Sequence, residues 1–315
     1  MKKILIIRFS SLGDILLSFP LINALKKEYP ESEIHYLTKS VYNSLLELNP
    51  SVSKIIEYKS QPLSELKSAV KSEKYDLVLD IHKNIRSILL TLFPGLNVKR
   101  YKKDTIKKFL LVKFKINLFK EIIPVYLKYI KSAGKEFSEK YKIYSSSLLN
   151  FEKGRKYSFN YIVLAPSSKH FTKTYPKEKF VELIKKLDCK VILVGDESSK
   201  DKEICNYISE QTGAIDLCGK LAYTELANMI YNSEYVITND SSILHFSESL
   251  GKKVKAIFGS TVKEFGFFPQ LKESVVFENK SLKCRPCTHI GLPACPLGHF
   301  KCMNEIQIEK VKLER

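Results

Sequence analysis

The hydrophobic pattern of this chain alternates two kinds of segment. Short apolar runs of strand length are separated by stretches in which apolar positions recur at helical spacing. In the first half, strands are predicted at Lys3–Arg8, Glu33–Leu37, Lys54–Tyr58 and Leu77–Asp80. Helices are predicted at Ile15–Glu28, Val41–Leu48 and Leu63–Ser72, and Pro20 should kink or divide the first of them. Phe109–Lys140 reads as mostly helical. A polar stretch with little pattern follows at Ser145–Gly154, and the rhythm then restarts. Strands are predicted at Tyr161–Ala165, Lys190–Val194, Ile215–Leu217, Tyr235–Thr238 and Val254–Phe258. The helices between them are Lys177–Leu187, Ser199–Gln211, Thr224–Tyr231 capped by Thr224, and Ser241–Leu250 closed by Gly251. A last helix is read at Asn304–Lys312. The pattern implies two α/β domains in series, residues 1–150 and 151–315, each with a parallel sheet covered by helices. Ligands of such sheets bind beyond the strand carboxyl ends.

Length agrees, since 315 residues suit two domains better than one. No apolar run reaches the roughly 18 residues of a membrane span. The run after Met1 ends at Arg8 and lacks a small-residue cleavage site, so it reads as a buried strand and the protein as cytoplasmic. The formal charge of +18 favours anionic partners, although solvated lysine faces account for part of any such excess. The basic residues concentrate between Lys99 and Lys120, which hold nine Lys or Arg, one acid and interleaved Tyr101, Phe109, Phe114 and Phe119. A nucleic-acid reading would use that charge, but no RNP motif, helix-turn-helix or finger spacing accompanies it. Of seven cysteines, Cys189, Cys205 and Cys218 read as core residues. Cys284, Cys287, Cys295 and Cys302 cluster with His289 and His299 nearby. A CxxC followed by two more cysteines can hold zinc, but this spacing is not that of a standard finger or ribbon, and packed free thiols are the default.

Three loops at strand carboxyl ends carry candidate chemistry. Arg8-Phe9-Ser10-Ser11-Leu12-Gly13-Asp14 joins a strand to a helix. Gly13 there permits an unusual backbone angle or a close approach, and Asp14 either caps the helix or faces a ligand. The loop lacks the GxGxxG fingerprint, so a nicotinamide cofactor is not implied. The second loop, Ala165 to Pro176, carries Ser167, Ser168 and Lys173, whose hydroxyls and charge suit phosphate oxygens. In the third, Thr238-Asn239-Asp240-Ser241-Ser242-Ile243-Leu244-His245, a small-residue turn opens a helix whose free N–H groups would favour an anion. His245 shares a helix face with Ser241 or Ser242.

With these motifs in order, the sequence resembles glycosyltransferase family 9, which contains the ADP-heptose:lipopolysaccharide heptosyltransferases. The resemblance rests on Ile7–Ile15, Lys173-Thr174-Tyr175-Pro176, Thr238–His245, Ala256-Ile257-Phe258-Gly259-Ser260-Thr261 and the final Cys295-Pro296-Leu297-Gly298-His299 with Cys302-Met303. The chain departs from the usual family pattern in having Ser241-Ser242 for Thr-Gly and Tyr175 for Trp.

The resemblance implies a GT-B fold, with two Rossmann-like domains facing a central cleft. It also implies an inverting transfer of heptose from ADP-L-glycero-D-manno-heptose to the lipopolysaccharide inner core, with no metal at the reaction centre and no cofactor. Asp14 would be the general base and Lys173 would neutralise the leaving diphosphate. Ser10, Ser11, Gly13, Ser167, Ser168, Asp240, Ser241, Ser242 and His245 would bind the donor. A family acid after the strand ending at Val194 binds the donor ribose, and here Asp196 and Glu197 both stand in that loop. Lys83, Arg86 and Arg100 are assigned to the anionic acceptor. The Lys99–Lys120 stretch is assigned to the cytoplasmic membrane face. The same fold with another sugar nucleotide, or a noncatalytic binder of lipopolysaccharide precursors, stays open.

Overall fold

Ile4 to Ile7 are fully buried in β1 (Lys3–Ile7). This strand is central to an all-parallel sheet in the computed structural model, which describes residues 2–144, 146 and 149–308. The other strands of this sheet are β2 (Glu33–Lys39), β3 (Lys54–Tyr58), β4 (Leu77–Asp80) and β5 (Val98–Arg100), in the order β3-β2-β1-β4-β5. Near-continuous apolar runs are what a parallel sheet covered on both faces demands. Leu5, Ile7, Leu37, Val70 and Val78 form part of its core.

The second sheet contains β6 (Tyr161–Ala165), β7 (Lys190–Leu193), β8 (Ile215–Asp216), β9 (Val236–Asn239), β10 (Val254–Phe258) and β11 (Val275–Glu278). Its order is β11-β10-β9-β6-β7-β8, again wholly parallel. In both sheets the order reverses beside the first strand, between β1 and β4 and between β6 and β9. That reversal parts the following loops and opens a ligand position at the strand carboxyl ends.

The chain divides into Met1–Lys103 with Val125–Asn150 as one unit and Asp104–Pro124 with Phe151–Arg315 as the other. The segment 104–124, read from sequence within the first domain, therefore groups with the second unit.

Local differences have local causes. The helix read at Ile15–Glu28 is two helices, Leu12–Leu16 and Phe19–Glu28, with Pro20 in the first turn of the second. A proline is tolerated there because the first-turn N–H groups have no helical acceptor. Gly13 lies within Leu12–Leu16 and is absent from the positive-φ glycines, so it supplies no unusual backbone angle. The Phe109–Lys140 stretch is three helices, Thr105–Phe114, Val125–Ala133 and Lys135–Lys140. The first ends at Lys115 in a left-handed conformation, φ 60°. Ala222, not Thr224, is the N-cap of Tyr223–Asn232, and the Glu225 carboxylate accepts the Ala222 N–H at 2.9 Å. Gly251 follows the C-cap of Ser242–Ser249 with φ 75°. The terminal helix is Lys301–Asn304, and the part of the predicted helix beyond Ile308 lies outside the described residues.

Candidate functional site

In the first unit, the loops after β1 and β4 are joined by Arg8. Its Nη1 donates to the Ile81 carbonyl at 2.9 Å, and its Nη2 lies 2.5 Å from Asp14 Oδ2. Ser11 donates to the same oxygen from its hydroxyl at 2.8 Å and its backbone N–H at 3.4 Å. Asp14 thus helps cap its own helix and also holds a buried cation. Its other oxygen, Oδ1, accepts the Tyr129 hydroxyl at 3.0 Å. Burial raises the Asp14 pKa, but the Arg8 charge and the bonds from Ser11 and Tyr129 outweigh it and hold the group below its ordinary value. Burial, then the Asp14 charge, raises the Tyr129 phenol well above its usual range, so it remains a donor. His82 packs edge-on to Phe9 at 5.2 Å, and burial followed by the Arg8 and Lys103 charges pushes it down to about 4.

Lys83 and Arg86 line an open groove of about 810 Å³, together with Tyr58, Ile85, Leu89 and Lys103. No acid lines it among the described residues. Lys83 takes φ 47° there, and its N–H is received by Asp80 Oδ1 at 2.7 Å. Arg86 lies over the Tyr58 ring at 4.9 Å. Arg100 does not line the groove. Its Nε donates to the buried Asp80 carboxylate at 3.3 Å and its Nη2 to Thr91 Oγ1 at 2.6 Å. Asp80 also accepts His82 N–H and the Ser87 hydroxyl, so Arg100 completes a structural carboxylate cage. Other members of the basic stretch are likewise engaged: Lys99 with the Ala133 carbonyl and Lys103 with the Lys83 carbonyl.

In the second unit, Asn239 at the end of β9 pins both ends of the second loop. Its amide donates to the Pro166 carbonyl at 2.8 Å and accepts from Tyr175 N–H at 3.0 Å. Between those points the second loop carries Lys173, whose Nζ lies 2.7 Å from Asp240 Oδ2. Thr261 donates to the same oxygen at 2.6 Å. Ser241, the N-cap of Ser242–Ser249, shares a 2.9 Å hydroxyl bond with Thr238. His245 is buried one turn inside that helix, its ring 6.1 Å from Phe267. Ser168 is buried and its carbonyl accepts Lys200 Nζ. The hydroxyls of Ser167 and Ser260 are buried and have no protein partner among the described residues. Asp196, in the loop after β7, is turned back onto Ser198 N–H at 2.8 Å.

The cysteine-rich segment supports this second loop. Leu292 N–H donates to Thr172 Oγ1 at 2.9 Å, and Thr172 N–H to the Leu292 carbonyl at 3.2 Å. Arg285 reaches the carbonyls of Gly259 and Thr261 and the Glu278 carboxylate. Cys284 Sγ and His299 Nε2 lie 4.0 Å apart. Among the described residues, the one trio of potential metal ligands with all atoms within 4.8 Å is instead Cys205, Asp216 and Cys218.

Arg8, Tyr129, Asn239 and Thr261 were not singled out from sequence as site residues. Arg8, Asn239 and Thr261 stand inside the recognised motifs, and the signal available for Arg8 was an aspartate six positions later in the same strand-to-helix loop. Tyr129 gave none, because only tertiary packing brings it to Asp14.

Comparison with known proteins gives a consistent family. Residues 63–296 match the model of glycosyltransferase family 9 (heptosyltransferase). Lipooligosaccharide heptosyltransferase 2 of Campylobacter jejuni is 28% identical over 95% of this chain and 93% of its own. The solved ADP-heptose lipopolysaccharide heptosyltransferase II of Escherichia coli aligns with a TM-score of 0.71 at 19% identity, covering 100% of this chain and 99% of that one. The Escherichia coli heptosyltransferase WaaC with ADP gives 0.65 at 15% identity, over 87% and 92% of the two chains. The fold is therefore that of the GT-B heptosyltransferases.

Proposed function

This chain belongs to glycosyltransferase family 9, the heptosyltransferases, and from that premise we propose that it moves heptose from ADP-L-glycero-D-manno-heptose to the anionic inner core of lipopolysaccharide by an inverting displacement. The observation that carries the reading is the division of charge. The first unit presents a carboxylate fixed by Arg8 and Tyr129, and the second presents Lys173 at a helix N-terminus.

Among the described residues Asp14 Oδ1 accepts one hydrogen bond, from Tyr129, and retains a lone pair for an incoming hydroxyl. As the acceptor oxygen bonds to the anomeric carbon, its proton passes to Asp14. The bond from that carbon to the diphosphate breaks on the opposite face. ADP leaves with the bonding electrons. Lys173, the backbone N–H groups at Ser241 and Ser242 and the unpartnered Ser167 hydroxyl meet the developing charge. Cationic groups there support a transfer that needs no metal. Asp240 would repel a phosphate, so its place is behind Lys173, fixing the ammonium. Ser10, Ser11, Gly13, Ser168 and His245 complete the donor assignment, although the Ser11 hydroxyl already serves Asp14.

Lys83 and Arg86 are assigned to the acceptor, because their groove pairs cations with the apolar surface of Ile85 and Leu89. Arg100 is withdrawn from that role by its bond to Asp80. No helix among the described residues is long and apolar enough to cross a membrane. A lipid-linked acceptor places the protein at the cytoplasmic face of the inner membrane as a peripheral enzyme.

The test is nucleotide release from a panel of sugar nucleotides with a Kdo–lipid A type acceptor and its heptosylated product. ADP release from ADP-heptose that needs acceptor and collapses in Asp14→Ala is the expected result. Release from a different donor would replace the substrate, and no acceptor-dependent release from any donor would remove the transferase reading.

A further inference from the structure

The segment between Lys102 and Lys120 holds seven lysines and one acid, Asp104. Its helix, Thr105–Phe114, buries Leu111 but no other residue. One side of the segment is fastened to the second unit. Lys108 Nζ lies 5.7 and 5.5 Å from the rings of Phe265 and Phe267. Lys115 Nζ donates to the carbonyls of Cys284 and Pro286 at 3.0 and 2.6 Å, and Asn117 to Glu264 at 3.2 Å. The remaining surface is not what water favours. Ile106, Phe109, Phe114, Ile116 and Leu118 leave between 47% and 74% of their area exposed. Phe109 and Phe114 meet edge to face at 5.9 Å, forming a small aromatic ridge in that surface.

We infer that this segment inserts its exposed apolar side chains into the headgroup region of an anionic lipid bilayer, with the surrounding lysines on the lipid phosphates. Exposed large apolar groups interleaved with lysine along one segment fit an in-plane membrane anchor. A nucleic acid would satisfy the charge but offer nothing to Ile106, Ile116 and Leu118. A second copy of the chain would bring two lysine-rich surfaces together, at a repulsive cost. The anchor rests on the peripheral-membrane reading proposed above and deepens it by naming the apolar side chains that enter the bilayer.

The chain has no tryptophan, so Phe109→Trp creates a single tryptophan whose emission is read by exciting beyond the tyrosine band. With vesicles of phosphatidylglycerol and phosphatidylethanolamine, free of donor and acceptor, its emission moves to shorter wavelength and is quenched by lipids brominated in the acyl chain. The triple variant Ile106→Ser, Phe114→Ser, Ile116→Ser lowers partition into these vesicles about tenfold or more. Ile143→Ser, an exposed apolar site elsewhere, leaves it unchanged. Emission that stays put, or binding removed by salt without bromolipid quenching at any stage, overturns insertion. So does a triple variant that binds normally, or one that turns a dimer into a monomer in light scattering while wild type ignores vesicles. Because no sugar nucleotide is present, failure here and failure of the transferase reading are separate results.

Discussion

Tyr129 and Asp14 stand 115 residues apart in sequence, yet the phenol donates to the carboxylate at 3.0 Å. The tyrosine is fully buried and comes from the helix Val125–Ala133, so a separate element holds the aspartate in place. Tyr129→Phe keeps the ring packing and removes one hydrogen bond, a stability loss of about 1 kcal/mol. The expected kinetic result is a fall in kcat with the donor KM unchanged, together with a rise in the pKa of the base. An unaltered pH profile would reduce Tyr129 to a packing residue.

The pH dependence follows from Arg8. Asp14 is held below its ordinary value, so it is ionised across the neutral range and its acid limb lies below the reference carboxylate value of about 3.9. Its contribution to stability has the same sign. It is present above the unfolded value and lost as pH falls through the folded one. Measured kcat/KM should therefore show no Asp14 limb between about pH 5 and 8. Arg8→Gln should bring that limb upward, and a wild-type limb near pH 6 assigned to Asp14 would contradict the geometry.

Lys173→Ala should lower kcat by about 10²- to 10³-fold, the usual cost of removing a group that meets transition-state charge. Asp240→Asn should give a smaller loss, because the lysine remains but is less firmly placed. If the two variants behave alike in both kcat and donor KM, Asp240 contacts the donor itself.

Arg100→Ala and Arg86→Ala should separate structure from recognition. The first leaves the buried Asp80 carboxylate without its cation and should cost about 1–3 kcal/mol in urea unfolding. The second should leave the unfolding midpoint in place and raise the acceptor KM. Equal stability of Arg100→Ala and wild type would return Arg100 to the acceptor.

Much of this was legible in the residues because the signals are local. β3, β4, β6 and β10 coincide with their predicted spans, since each is a bounded apolar run. β5 is three residues with two charges and so offers no apolar run, whereas β11, an edge strand, has a run as long as that of β4 yet is absent from the predicted strands. The helix Ile85–Leu90 escaped because apolar residues occupy its outer face, contrary to the amphipathic pattern. The Asp14, Lys173 and Asp240 loops stand out in the sequence because each follows a strand and contains its own candidate chemistry. The bond from Arg100 to Asp80 was not legible, because a cationic residue type says nothing about a buried carboxylate beside it.

The Asn239 amide gives a hydrogen to one end of the second loop, at the Pro166 carbonyl, and takes one from its other end, at Tyr175 N–H. An aspartate could not do both, and the reversed amide would set oxygen against oxygen. The loop bearing Lys173 is thereby riveted to a strand of the sheet on a side chain with one workable orientation. In the transfer proposed above, the dipoles and charge that receive the departing diphosphate would then already be aligned when the bond breaks. Little of the activation barrier would go into reorganising the surroundings, which water would have to do anew at every turnover.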